Sequence, residues 1–239
     1  MLDIQDLVKH YHVGDAEPVR AVDGLSLSIA AGELVALYGP SGSGKTTLLM
    51  LIAALIRPDA GSVAVDGRDL ASLSDAEQSK YRLCDLGLVD QTFDLLPGGS
   101  VLQNAALKLW MLESTRSAER RVTPLLERLG LSERLHHRAD QLSTGERQRV
   151  MVARALSTEP KLVLADEPTG NLDTRRGREV LELLGEICRE QQTAVLLVTH
   201  DPQATTLADR VLALRDGRIA DFRPGDIFSP TGSGEAISS

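Results

Sequence analysis

Residues 39–47 read GPSGSGKTT and constrain the fold more than any other part of the chain. They satisfy G-x-x-x-x-G-K-[ST] at each fixed position. The apolar run 34–38 before them predicts a buried strand, and the apolar run 48–56 after them a buried helix. Strand, glycine loop and helix are the setting in which such a loop cradles phosphates. Gly39, Gly42 and Gly44 let the backbone wrap closely and aim successive N–H groups at anionic oxygens. Pro40, Ser41, Ser43 and Thr47 complete the loop. The helix it opens adds unpaired N–H groups and the positive end of a dipole. Lys45 brings a charge for the β- and γ-phosphates, and the Thr46 hydroxyl can ligate Mg²⁺. The chemistry implied is binding of a nucleoside triphosphate, ATP, with its magnesium ion.

Composition narrows the partners. At 42% hydrophobic and 25% charged residues, the 239-residue chain has an ordinary globular make-up. A formal charge of -8 argues against nucleic acid as the main partner and against direct docking on anionic lipid. Cys84 and Cys188 show no metal-binding spacing and fit a reducing compartment. The first residues, MLDIQDLVKHYHVGD, lack the apolar segment of a signal peptide, and the longest apolar runs fall short of spanning length. Work at a membrane then requires another chain to hold this one there.

The order of elements predicts an α/β architecture. A β-rich start (a strand from residue 2 toward Tyr11, an alternating strand over 25–29) leads to the central strand and the glycine loop. Val63 and Val65 alternate before an Asp66-Gly67 turn, a hairpin signal, and Ser74-Asp75-Ala76-Glu77 is a capping box. A strand over 86–89 ends at Asp90-Gln91. From there residues 92–158 carry helical patterns only, read as a helical insertion. The α/β pattern resumes with the apolar strand 161–165, a long helix from Thr174 to about 190, a buried strand 194–199 and a hairpin at Asp216-Gly217. The expected division is an ATPase domain over 1–223, with its core at 1–91 and 159–223, and a poorly ordered Gly/Ser/Pro tail over 224–239.

Ligands of open α/β sheets bind at the carboxyl ends of strands. Asp166 and Glu167 stand at such an end, Asp166 placed to hold Mg²⁺ and Glu167 to act as general base toward an attacking water. His200 and Gln91 also follow predicted strands, His200 within reach of a γ-phosphate or its water and Gln91 of metal or water. The segment LSTGE puts Ser143, Thr144, Gly145 and Glu146 just ahead of a helix, which makes a second anion site. One chain has no use for two such sites with one ATP, whereas a head-to-tail pair does.

Over residues 2–223 the sequence resembles the nucleotide-binding subunit of an ABC transporter. GPSGSGKTT matches the Walker A motif, residues 162–167 the Walker B motif, Gln91 the Q-loop, Asn171-Leu172-Asp173 the D-loop and His200 the switch histidine. LSTGE resembles the LSGGQ/E signature, with Thr144 where the family usually has glycine. The resemblance implies a RecA-like phosphate-loop core with an antiparallel β subdomain and an inserted α-helical subdomain. It also implies ATP contacts from Asp173 and adenine stacking on Tyr11. DQTFDLLPGGSVLQNAALKL and ADEPTGNLD are similar to the group of lipoprotein-release, macrolide-export and cell-division ATPases. The expected role is a homodimeric, ATP-hydrolysing subunit held peripherally on the cytoplasmic face of the membrane by an integral permease. The loop after Gln91, with Phe93, Leu95, Leu96 and Trp110, is expected to face that permease. Rival readings are the ATPase of an importer for amino acids or similar solutes, and a soluble cassette ATPase.

Overall fold

The computed structural model describes residues 1–12, 14, 17–90, 95–170, 172–199 and 204–221. Strands β1 (Leu2–Tyr11), β2 (Val19–Ile29), β4 (Ala60–Val65) and β5 (Arg68–Asp69) form an antiparallel sheet in the order β2-β1-β4-β5. Strands β3 (Leu34–Tyr38), β6 (Leu86–Val89), β7 (Leu162–Asp166), β8 (Ala194–Thr199), β9 (Arg210–Arg215) and β10 (Arg218–Asp221) form a second sheet in the order β10-β9-β3-β8-β7-β6. Every pairing in it is parallel except β9 with β10. The helices are α1 (Lys45–Ile52), α2 (Asp75–Lys80), α3 (Val101–Ala106), α4 (Thr115–Arg128), α5 (Thr144–Leu156), α6 (Thr174–Gln191) and α7 (Ala204–Leu207).

The second sheet divides the core because strand side chains alternate between faces. On β7, Leu162 and Leu164 point to one apolar layer and Val163 and Ala165 to the other. On β8, Ala194, Leu196 and Val198 share the first layer, and Val195 and Leu197 the second. The first layer is completed by α1 and the antiparallel sheet, with Leu48, Ile52, Leu2, Ile4 and Leu27 buried in it. The second is completed by α3, α4, α5 and α6. Strands covered on both faces explain the unbroken apolar runs of β3, β7 and β8.

Two local outcomes depart from the sequence reading. Helix α1 ends at Ile52, not at residue 56. Ala54 turns to φ 51°, the Leu55 N–H bonds back to the Met50 carbonyl at 2.9 Å, and the Ala54 N–H bonds to that of Leu51 at 3.1 Å. This is a Schellman closure made with alanine where glycine usually stands. The expected permease-facing cluster also resolves differently. Leu95 is buried and Trp110 packs against the second core layer, while Leu96, Met111 and Leu112 are exposed. Phe93 lies outside the described residues.

Candidate nucleotide site

Parallel register aligns the carboxyl ends of four strands. Tyr38 of β3 pairs with Thr199 of β8, Asp166 of β7 with Val198, and Val89 of β6 with Ala165. With about 4.8 Å between neighbours, these ends lie along an edge of roughly 15 Å. The glycine loop leaves from Tyr38 and Glu167 from Asp166 on that edge. His200 and Gln91 lie outside the described residues, as does Asn171.

The glycine loop is held by tight packing. Gly44 has φ 104°, and a Cβ there would come 1.9 Å from the Ala21 carbonyl oxygen of β2. A Cβ on Gly39 would meet the Leu214 carbonyl at 2.6 Å and Ser43 Oγ at 2.7 Å. The Gly217 N–H donates to the Ser43 carbonyl at 3.1 Å, so the β9–β10 turn braces the loop. Gly44 provides α1 with no side-chain cap among the described residues, and Ser43 Oγ is buried with no hydrogen-bond partner among them. Amide donors at a helix start without an internal cap, beside an orphaned buried hydroxyl, fit a polyphosphate. Lys45 Nζ donates to the Gly39 and Pro40 carbonyls at 2.6 and 2.8 Å, which tethers its ammonium to the loop. Burial pulls its pKa below the ordinary lysine value, against the opposing influence of Glu167 and Asp166. Pro40, Ser41, Gly42 and Thr46 are exposed, and Thr47 is half-buried.

Two carboxylates stand beside Lys45. The Asp166 carboxyl is raised above its usual range by burial, and further by the charges of Glu167 and Asp90. Half-buried oxygen donors of this kind, with the Thr46 hydroxyl, suit Mg²⁺, which is held by few carboxylates together with phosphate oxygens. Glu167 is buried and adopts φ 49°, a strained backbone for a side chain of its size. Its N–H donates to the Val198 carbonyl at 2.8 Å, and Thr199 Oγ1 donates to its Oε2 at 3.3 Å. Strand β8 thus fixes both ends of the residue that the sequence nominates as base.

The second anion segment is a capped helix start. Ser143 is the N-cap of α5 and accepts from the Glu146 N–H, while Glu146 Oε2 accepts from the Ser143 N–H and Oγ at 2.8 Å each. Arg134 Nε donates to Glu146 Oε1 at 3.0 Å. Burial alone would raise the Glu146 pKa. The bonds from Ser143 and the Arg134 charge outweigh it and pull the carboxyl down to about 2. Thr144 is the first residue of the helix and is not among the residues with positive φ. The glycine usual there is therefore not needed for backbone conformation. Gly145 is buried, and a Cβ on it would touch Leu172 Cδ2 at 3.0 Å, so LSTGE packs on the segment that leads to Asp173. Asp173 is exposed and caps α6 through the Arg176 N–H at 3.0 Å. Tyr11 closes β1 with its ring exposed and Lys9 Nζ 5.8 Å from its centroid, an open aromatic face of the kind a base can stack on.

Of the residues nominated from sequence that the structure describes, one group lies along the strand edge and another at the start of α5; Asp173 caps α6, and Tyr11 ends β1 in the antiparallel sheet. Sequence reasoning missed Thr199, Arg134 and Asp90. Thr199 carries a signal, a hydroxyl one residue before the nominated histidine. Arg134 carries none, because its partner lies twelve positions away, beyond the single turn Ala139–Gln141.

A glycine loop on the central strand of a parallel sheet, an acidic pair on the next strand but one and a capped LSTGE helix define an ATP-binding cassette. The ABC transporter family profile matches residues 22–170, and the chain belongs to that family. It is closely related to lipoprotein-releasing and macrolide-export ATP-binding proteins. It is 48% identical to the lipoprotein-releasing system ATP-binding protein LolD 2 of Caulobacter vibrioides, over 86% of this chain and 90% of that protein. It is 43% identical to the macrolide export ATP-binding/permease protein MacB of Rhodopirellula baltica, over 92% of this chain but 33% of that longer protein. Among solved structures, a dimeric ATP-binding cassette in a post-hydrolysis state with ADP and Pi superposes with a TM-score of 0.85 at 35% identity, covering 92% of this chain and 96% of that one.

Proposed function

We propose that the chain is the ATP-hydrolysing subunit of a transporter of the export or mechanotransmission type. Two copies close head-to-tail on two ATP molecules and drive an integral membrane permease from its cytoplasmic face. One observation carries this reading. Helix α1 packs in one apolar layer and helix α5 in the other, on opposite faces of the six-stranded sheet; the α1 start has no side-chain cap, and the box at the α5 start engages the N–H groups of Ser143 and Glu146 only. In this reading the Thr144 and Gly145 N–H groups of the α5 start serve a nucleotide held on α1 of a second copy. In that arrangement the glycine loop and Lys45 bind the β- and γ-phosphates, Tyr11 stacks on adenine, and Ser143, Gly145 and Glu146 with Asp173 meet the partner's nucleotide. Glu167 accepts the proton of the attacking water, with Gln91 and His200 orienting water and γ-phosphate. Thr46, Asp166 and Gln91 would hold Mg²⁺, which neutralises charge on the transferred phosphoryl group.

The likeness to lipoprotein-releasing and macrolide-export proteins supports the export or mechanotransmission type. Among the described residues no helix is long and apolar enough to cross a membrane, and in this reading the spanning part is the integral permease. The domain division at 1–91, 92–158 and 159–223 belongs to the same proposal. Glu167→Gln should bind ATP, lose hydrolysis by roughly 10²–10⁴-fold and trap the dimer. Multi-angle light scattering at saturating MgATP reads the outcome, and a persistent monomer would overturn the sandwich.

A further inference from the structure

A single buried amide ties α5 to the loop that follows β6. Asn104 on α3 is fully buried, and both polar atoms of its side chain are engaged. Its Oδ1 accepts from the Leu96 N–H at 2.7 Å and from Arg154 Nη2 at 2.8 Å. Its Nδ2 donates toward the carbonyls of Leu96, Gly99 and Ser100 at 3.2, 3.3 and 3.1 Å. Arg154, on the last turn of α5, also donates from Nε to the Asn104 carbonyl at 3.1 Å. The loop closes down on this amide, since a Cβ on Gly99 would stand 3.0 Å from Asn104 Nδ2.

We propose that Asn104 and Arg154 are positioning residues that couple the loop 95–100 to the LSTGE start of α5. Arg154 lies ten residues from Thr144 on α5, about 15 Å at 1.5 Å per residue. A helix over that length moves as one piece, so a shift imposed at Arg154 reaches Ser143. Apolar contacts can slide, but this bracket cannot, because any slip leaves a buried donor or carbonyl unpaired. The two-point grip of the guanidinium also fixes direction. A permease element pressing near Leu96, which is exposed, would thereby adjust the segment that faces the partner's nucleotide. The coupling runs equally in reverse. This inference rests on the sandwich proposed above, since only there does the position of Ser143 matter to ATP.

The test uses the full chain carrying Glu167→Gln, with and without MgATP, read by amide hydrogen exchange in three versions: Arg154 intact, Arg154→Leu and Arg154→Lys. With Arg154 intact, MgATP should slow exchange over 143–147 and over 95–100. In both variants the slowing at 143–147 should persist, while that at 95–100 falls by at least about threefold. Arg154→Lys keeps charge and stem but loses the grip, and it decides the matter if Arg154→Leu fails to fold. An unchanged response at 95–100 in the variants, or none there in the parent, overturns the coupling and leaves the sandwich standing. No response at 143–147 in the parent overturns the sandwich, and the coupling with it.

Discussion

Gly42→Ala and Gly44→Ala place the same methyl group two residues apart in one loop, and the structure assigns them different outcomes. Both glycines have positive φ, 82° and 104°. An alanine held there costs about 1–2 kcal/mol, offset by about 0.4–1 kcal/mol from the stiffer unfolded chain. Around the Gly42 Cβ position nothing lies within 4 Å, so the net loss stops near 1 kcal/mol. At Gly44 the new carbon would stand 1.9 Å from the Ala21 carbonyl oxygen, well inside an ordinary contact of about 3.3 Å. Backbone, not a side-chain tip, has to yield. Overpacking adds about 1–3 kcal/mol, and the Gly217 brace on Ser43 is put at risk as well, so a total of about 3–5 kcal/mol follows. At about 2–4 °C per kcal/mol for a domain of this size, Tm should fall by about 2–4 °C for Gly42→Ala and by roughly 6–20 °C for Gly44→Ala. Thermal unfolding of the nucleotide-free chain, followed by circular dichroism, measures both. Equal losses for the two variants would refute the argument that the β2 carbonyl sets the loop's geometry.

Thr144→Gly should change steady-state ATPase by less than about tenfold, equivalent to about 1.4 kcal/mol in the barrier, because Thr144 already has a helical backbone; Ser143→Arg, which removes the cap and adds bulk at the phosphate-facing end, should nearly abolish it. The Glu146 carboxyl is held down to about 2, so its contribution to stability is present above the ordinary glutamate range near 4.3 and is lost as pH falls toward 2. Arg134→Ala should move that loss to higher pH, readable as an earlier acid-unfolding midpoint. The Asp166 carboxyl is raised, so folding without Mg²⁺ is weakened as pH climbs through its titration. Asp166→Asn should then raise Tm at pH 7 by on the order of 1–3 °C while abolishing Mg²⁺-dependent hydrolysis, and the gain in Tm should vanish at acid pH.

The candidate site was legible where chemistry is local. A glycine loop and an acidic pair at a strand end each state their own geometry, and the structure gives Ser74 and Glu77 the reciprocal bonds their spacing predicts; the same box at Ser143 and Glu146 was missed, because that segment was read only as an anion site. Strands β3, β7 and β8 were legible because covering on both faces leaves unbroken apolar runs. Legibility failed where distant residues meet. The end of α1 was missed because alanine took the left-handed position that glycine normally announces. Leu95 and Trp110 read as candidate surface, yet both are recruited by the helical layer through contacts that no local pattern carries. Asn104 reads as an ordinary polar helix residue, and its burial follows only from the loop that folds over it.

The brace on the glycine loop has a bearing on how the chain matures. Ser43 accepts from Gly217, and the Gly217 carbonyl in turn accepts from the Asp23 N–H at 3.0 Å. The residues of the glycine loop emerge from the ribosome early, but the turn that secures them follows about 170 residues later. At about 5–20 residues per second that interval is roughly 9–35 s. Throughout synthesis the nascent chain therefore carries a complete phosphate-loop sequence without its final support. In the proposed role, full support of the nucleotide loop is therefore a late event that awaits the docking of β9 and β10, and a product truncated before residue 217 lacks that support however intact its motifs.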